Sequence, residues 1–316
     1  MDVLIFSINT VLPLVIVVAS GFFLKKIKII DDDFIKKANN LCFKFALPIQ
    51  LFQNIRSAPF QEVFQPKLVL YVVLGIILMC VALCLTVPRF IKKRGTCGAF
   101  IQGVFRSNFL ILGIPLATSM FGENKISSLS TLLPFVIIVY NFMAVIVLTI
   151  FSDDSEKKKI DIKSVAIGVV KNPLIIASAL GIIFSFFSIG LPEFLEVSLD
   201  TIGKLATPLA LVILGGQFAP DKLRGNLLLC TVVSILRLIV IPAIFVTGGA
   251  MLGYRNEILG SVFIIFAAPS AVSSYIMAKS MNNDHELAGQ IVVMTTAFSV
   301  VTIFLWTFVL RKLCLI

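Results

Sequence analysis

The chain has 316 residues, 58% of them hydrophobic and only 14% charged, with a mean hydropathy of +1.03. That exceeds what a soluble domain of this length buries, and the charges cluster between long apolar runs, so the composition is that of a polytopic membrane protein. The net charge of +10 then belongs to Lys and Arg in loops; no basic stripe interleaved with aromatics is present, so no nucleic-acid partner is expected.

A helix needs about 20 apolar residues to cross the hydrocarbon. Ten spans are expected, near 3–24, 37–55, 68–88, 98–121, 128–151, 168–188, 197–218, 227–252, 258–280 and 287–310. The first, Val3 to Leu24, follows no positive residue and precedes Lys25, Lys26 and Lys28. It is too long for a signal-peptide core and no small-residue cleavage pattern follows it, so it reads as a retained helix with its N-terminus outside.

Alternate loops collect the positive charge. One set holds Lys25, Lys26, Lys28, Lys36 and Lys37, then Arg89, Lys92, Lys93 and Arg94, then Lys157, Lys158, Lys159, Lys163 and Lys171, then Lys222 and Arg224. The other side holds Arg56, Lys67, Lys125, Arg255 and the terminal Arg311 and Lys312. The positive-inside rule puts the first set in the cytoplasm and both termini outside. The multi-pass protein is placed in the plasma membrane. FSDDSEKKKIDIKS, 151–164, reads as a solvated cytoplasmic linker. It divides the chain into a first five-helix unit over 1–151, a linker over 152–167 and a second unit over 168–316.

Those halves repeat. Pro13, Leu14, Ile16, Ala19 and Gly21 recur as Pro173, Leu174, Ile176, Ala179 and Gly181, all 160 residues on. The same offset pairs Lys44 with Lys204, Ala46 with Ala206 and Pro48 with Pro208. Later in each half the expected offset is 154, which pairs Pro115 in the fourth span with Pro269 in the ninth. Five is odd, so the second half enters the membrane inverted, a plan used by secondary transporters.

Pro115 and Pro269 fall near the middle of their spans among small and polar residues: Gly113, Thr118 and Ser119 in one, Ser270, Ser273 and Ser274 in the other. Proline removes a backbone donor and clashes with the preceding turn, so both helices are expected to break there. A broken helix presents open N–H groups and its positive dipole end inside the membrane, a place for a carboxylate. Arg106 and Asn108 lie two or three turns before Pro115, deep for such polar groups.

SNFLILGIPL, 107–116, resembles the Asn-x4-Gly-Ile-Pro-Leu motif of the auxin efflux carrier family, which includes bacterial permeases for malate or malonate. PSAVSSYIMAKSMN, 269–282, is similar to that family's ninth span in Pro269, Ala278, Lys279 and Asn282. The resemblance implies an all-α fold of ten spans in two inverted repeats. It also implies a scaffold of spans 1, 2, 6 and 7 that dimerises, and a moving transport bundle of spans 3–5 and 8–10. Spans 4 and 9 would cross at their prolines, with Asn108 on the substrate carboxylate. A short central loop and the lack of a carboxylate cluster inside the spans depart from the plant carriers.

The expected substrate is a small organic anion such as malate, malonate or an auxin-like acid. Expected to bind it are Asn108, Gly113, Pro115, Pro269, Ser270 and Ser273, with Arg106 and Lys44 attracting it. Lys44 and Lys204 serve equally well to bond carbonyls freed by Pro48 and Pro208, Lys279 reads as a snorkelling span end, and Arg237 has no evident partner. Coupling to protons or sodium stays open, a sodium symporter of bile-acid-carrier type being the nearest alternative. A channel or receptor is a further one. Catalysis is not expected: Ser273 and Ser274 have no histidine in any span to act as base, the only one being His285 in a loop. The six cysteines lack metal-type spacing, so no disulfide, metal or cofactor is expected.

Overall fold

The computed structural model describes residues 2–57, 65–122, 127–153, 167–217 and 220–316; the expected linker, 152–167, lies largely outside them. The described residues are helical, apart from turns and one isolated antiparallel bridge between Ser107 and Ser270. We number the helices α1 (Asp2–Lys26), α2 (Asp32–Leu41), α3 (Leu47–Arg56), α4 (Pro66–Phe90), α5 (Arg94–Phe105), α6 (Phe109–Phe121), α7 (Ser127–Ile150) and α8 (Pro173–Phe186). There follow α9 (Glu193–Lys204), α10 (Ala206–Gln217), α11 (Pro220–Ile235), α12 (Ile241–Met251), α13 (Asn256–Ala267), α14 (Ser273–Ser280) and α15 (His285–Lys312). Among the described residues, five helical runs are long and apolar enough to cross a membrane: Pro66–Phe90, Ser128–Ile150, Glu193–Gln217, Asn226–Met251 and His285–Lys312.

Helix starts carry ordinary chemistry. The Asp31 carboxylate accepts the Phe34 N–H at 2.7 Å, and Asn172 accepts the Leu174 N–H at 2.9 Å beside Pro173 in the first helical position. Both satisfy donors that a helix leaves open. The start of α5 is held by two carboxylates: Asp153 takes the Gly95 N–H at 2.8 Å and Asp284 the Thr96 hydroxyl at 2.8 Å, where the dipole favours negative charge.

Among the described residues two helical runs contain a π turn, Cys42–Ala46 joining α2 to α3 and Leu236–Val240 joining α11 to α12. Each ends two residues before a proline, Pro48 and Pro242. A proline ring excludes the carbonyl four residues back, and the helix relieves that by widening a turn. The Leu238 carbonyl, denied its usual donor by Pro242, accepts the Trp306 indole N–H at 3.0 Å from α15.

Glycines set the closest helix approaches. A Cβ on Gly21 of α1 would lie 2.2 Å from the Val212 carbonyl oxygen of α10, and one on Gly181 of α8 would lie 3.1 Å from that of Phe52 in α3. The two contacts are related by the 160-residue offset read in the sequence. Such small-residue seams let helix backbones meet in a bilayer. Much of the outer surface is apolar: Phe90, Phe186, Leu228 and Phe308 are exposed, as expected where lipid rather than water covers the protein.

Two interruptions lie side by side in the interior. One separates α5 from α6 at Arg106–Asn108; the other separates α13 from α14 at Ala268–Val272. They exchange backbone bonds, Asn108 N–H to the Pro269 carbonyl at 2.7 Å and Ala271 N–H to the Arg106 carbonyl at 3.3 Å. Pro269 thus lies in its break as expected, but Pro115 does not: α6 runs helically through it. The helices before the breaks, 94–105 and 256–267, start and end 162 residues apart. Ser107, not Pro115, therefore stands opposite Pro269 in the two halves, and the expected offset of 154 is corrected. A lone proline costs a helix one hydrogen bond, which a membrane helix tolerates. Unwinding three residues needs replacement partners, and the opposite break supplies them at 106–108.

Candidate functional site

The interruptions leave two helix N-termini at one place. Asn108 caps α6 and Val272 caps α14, neither with a side-chain bond to the first turn. Both border a cavity of ≈ 100 Å³. Arg106, Ser107, Asn108 and Ser273 reach it from the crossing, Tyr140 and Asn141 from α7, Gln50 and Asn54 from α3, and Thr207 from α10. Leu47, Leu51, Phe109, Ile137, Leu174 and Val272 are among its apolar walls, and among the described residues no acidic one lines it.

Arg106 sets the electrostatics. It is buried, and its Nη2 donates to Asn141 Oδ1 at 2.7 Å, with Nη1 against the Met277 sulfur. Asn141 is held in turn by its own amide, which donates to the Ile137 carbonyl at 2.8 Å. Among the described residues the ion pairs are Lys25–Asp32, Lys37–Asp33, Arg56–Glu196 and Lys204–Asp200, so no carboxylate stands within 4.0 Å of Arg106. A buried cation facing only neutral dipoles is incompletely compensated. Asn108 is also buried, and its Nδ2 has no hydrogen-bond partner among the described residues. At α14 the Ser274 and Tyr275 N–H groups already donate to the Ala271 and Val272 carbonyls at 2.9 and 3.2 Å. The cavity therefore offers a guanidinium, an amide donor and the N-terminus of α6, a set suited to an anion.

Of the residues expected from sequence, the structure brings Arg106, Asn108 and Ser273 together on the cavity. Pro269 sits behind the wall, its carbonyl taken by Asn108 N–H. Ser270 is spent inside the fold: its hydroxyl donates to the Gly103 carbonyl at 2.6 Å and its N–H to Thr295 Oγ1 at 3.2 Å. Gly113 packs against α13, where an added Cβ would meet Ile264 at 3.1 Å. The Pro115 side chain lies outside the described residues. Lys44 is exposed in its π turn and does not border the cavity, and Lys204 pairs with Asp200 at 2.5 Å. Gln50, Asn54, Tyr140, Asn141 and Thr207 were not anticipated. Asn141 carries the plainest signal, a lone amide in the apolar run VIIVYNFMAVIV.

A helical, lipid-coated body whose two interrupted helices meet beside a polar interior cavity has the construction of a membrane transporter. Residues 6–307 match the family described as membrane transport protein. The chain belongs to that family, the one that contains the auxin efflux carriers. An uncharacterized transporter of Methanocaldococcus jannaschii is 26% identical over 312 residues, 96% of this chain and 98% of its own. Auxin efflux carrier component 5 of Arabidopsis thaliana is 26% identical over 209 residues, 55% of this chain and 59% of its own. A Rhizobium meliloti protein named "Putative malonate transporter" is 20% identical over 268 residues, 84% and 83% of the two chains. The family and these relatives are transporters, not enzymes.

Proposed function

We propose that the protein carries a small organic anion, a mono- or dicarboxylate of the size of malonate, malate or an auxin-like acid, by alternating access. The observation that carries this is Arg106: a buried guanidinium on an interior cavity, with no carboxylate partner among the described residues. A bound carboxylate would supply the missing charge and accept from Asn108 Nδ2, which has no partner among the described residues. The names of the Arabidopsis and Rhizobium relatives agree with an acidic substrate.

In this reading the chain crosses the plasma membrane ten times as two inverted five-helix repeats, with both termini outside. The 160-residue relation between the Gly21–Val212 and Gly181–Phe52 contacts supports the repeat. Helices α1, α3, α8 and α10, packed through those contacts, form a scaffold that pairs with a second copy. The crossing and its neighbours α4, α7, α11, α12 and α15 slide against it as an elevator. The cavity lies on that boundary, since Gln50, Asn54 and Thr207 face Arg106 and Asn108 across it.

Liposomes containing the purified protein and loaded with unlabelled malonate should take up external labelled malonate by saturable counterflow, and malate or indole-3-acetate should compete. Arg106→Gln should lower the rate at least about tenfold, as expected for loss of one charge-assisted contact. Counterflow unchanged in that variant, or absent for every mono- and dicarboxylate offered, would remove the reading.

A further inference from the structure

Arg237 is fully buried in the π turn between α11 and α12, and no carboxylate pairs with it among the described residues. Its guanidinium is instead spent mainly on backbone, with the Tyr140 hydroxyl also beside it. Nε donates to the Ala268 carbonyl at 2.8 Å and Nη2 to that of Ile265 at 2.9 Å; Nη1 reaches those of Phe105 at 3.2 Å and Val104 at 3.4 Å. Two of the four acceptors belong to the end of α5 and two to the end of α13 and its cap. The arginine thus joins the C-terminal ends of both interrupted helices.

Accounting for the carbonyls at those ends shows why a donor is needed. At the end of α5, Gln102 accepts the Arg106 N–H at 2.9 Å and Gly103 accepts the Ser270 hydroxyl at 2.6 Å. Val104 and Phe105 are left for Arg237. At the end of α13, Ile264 accepts the Ala268 N–H at 3.2 Å. Ile265 would be met by residue 269, but that is Pro269, which has no N–H. Arg237 fills that gap and takes Ala268 as well. A helix C-terminus carries about half a negative charge, so two such ends present roughly one, opposite one guanidinium. In secondary transporters half-helix C-termini and unwound carbonyls are where coupling Na⁺ or H⁺ is held.

We propose that Arg237 is a resident, tethered cation that clamps the C-terminal ends of both interrupted helices and fills the place an exchangeable coupling cation would take at this crossing. Its charge is part of the fold and does not leave with the substrate. It acts on the cavity as a positioning residue: Tyr140, which lines the cavity, donates to the same Ile265 carbonyl at 3.5 Å. Sodium then has no vacancy at these four carbonyls in the wild-type protein.

The test needs no substrate, so it stands apart from the carrier reading above. The melting temperature of the purified protein in detergent is measured in choline chloride, then with added guanidinium, urea or sodium at about 10 mM, well below denaturing levels. Arg237→Ala should melt roughly 6–12 °C lower than wild type. Guanidinium should recover at least half of that loss and urea, its neutral isostere, none of it. The wild type should not change when sodium replaces choline. Arg237→Lys, which keeps the charge but not the fork, should melt between wild type and Arg237→Gln, and this pair decides the matter if the alanine variant does not fold. Equal melting of the Lys and Gln variants, equal effects of guanidinium and urea, or a sodium-dependent rise in the wild type would each overturn the proposal.

Discussion

Asn108 places its backbone and its side chain in separate service. The N–H is fixed to the Pro269 carbonyl at 2.7 Å and holds the two breaks together, while Nδ2 at the cavity wall has no partner among the described residues. An alanine keeps the first and removes the second. Asn108→Ala is therefore expected to leave the melting temperature within about 2 °C of wild type. It should weaken malonate binding roughly 10- to 150-fold, the equivalent of a charge-assisted hydrogen bond of about 1.5–3 kcal/mol. Calorimetry and a thermal scan on one preparation check both halves. A lower melting point with unchanged affinity would make Asn108 a structural residue. Asn108 and Arg106 were legible in the sequence because an amide and a cation are costly in an apolar run. Arg237 was equally visible but its role was not, because its hydrogen bonds go mainly to main-chain carbonyls, which any residue supplies and no spacing reveals. Ser270 misled for a related reason: its hydroxyl points back at the Gly103 carbonyl rather than into the cavity.

At the scale of the helix, prolines act through the carbonyl four residues back, and the protein answers each in a different way. Pro242 strands the Leu238 carbonyl, and Trp306 of α15 caps it at 3.0 Å; Pro269 strands Ile265, and Arg237 takes it at 2.9 Å. Trp306→Phe keeps most of the apolar bulk and removes the indole donor, leaving a carbonyl unpaired in the membrane interior. It is expected to cost about 1–3 kcal/mol, read as a fall in melting temperature, with malonate affinity unchanged because Trp306 does not border the cavity. A melting point equal to wild type would mean that another donor replaces the indole. The same reasoning explains how far the breaks could be read from sequence. Pro269 lies in one and was found. The break at Arg106–Asn108 holds no proline and exists because the opposite break supplies its hydrogen bonds, a tertiary fact that Pro115 could not signal.

Over the whole molecule, two long-range patterns organise the chain: the 160-residue repeat and the alternation of basic loops. The repeat has a counterpart in the packing of Gly21 on Val212 and Gly181 on Phe52. Ungapped identity over proline, glycine and lysine made it legible, whereas the later offset failed because it was anchored on two prolines that are not equivalent. The charge alternation predicts which side each terminus faces, and the native cysteines report on it. Cys314, two residues from the C-terminal Ile316, is exposed; Cys42, Cys80, Cys97 and Cys230 are buried and Cys84 is half-buried. A thiol reacts only where reagent and water reach it, so Cys314 should dominate labelling of the wild-type protein. With both termini outside, a membrane-impermeant maleimide applied to intact cells should label the protein, and Cys314→Ser should reduce that labelling about tenfold or more. Labelling that appears only after the membrane is permeabilised, and is still lost in Cys314→Ser, would place the C-terminus in the cytoplasm. The orientation read from the basic loops would then be reversed, and with it the side on which Gln50 and Asn54 meet Arg106.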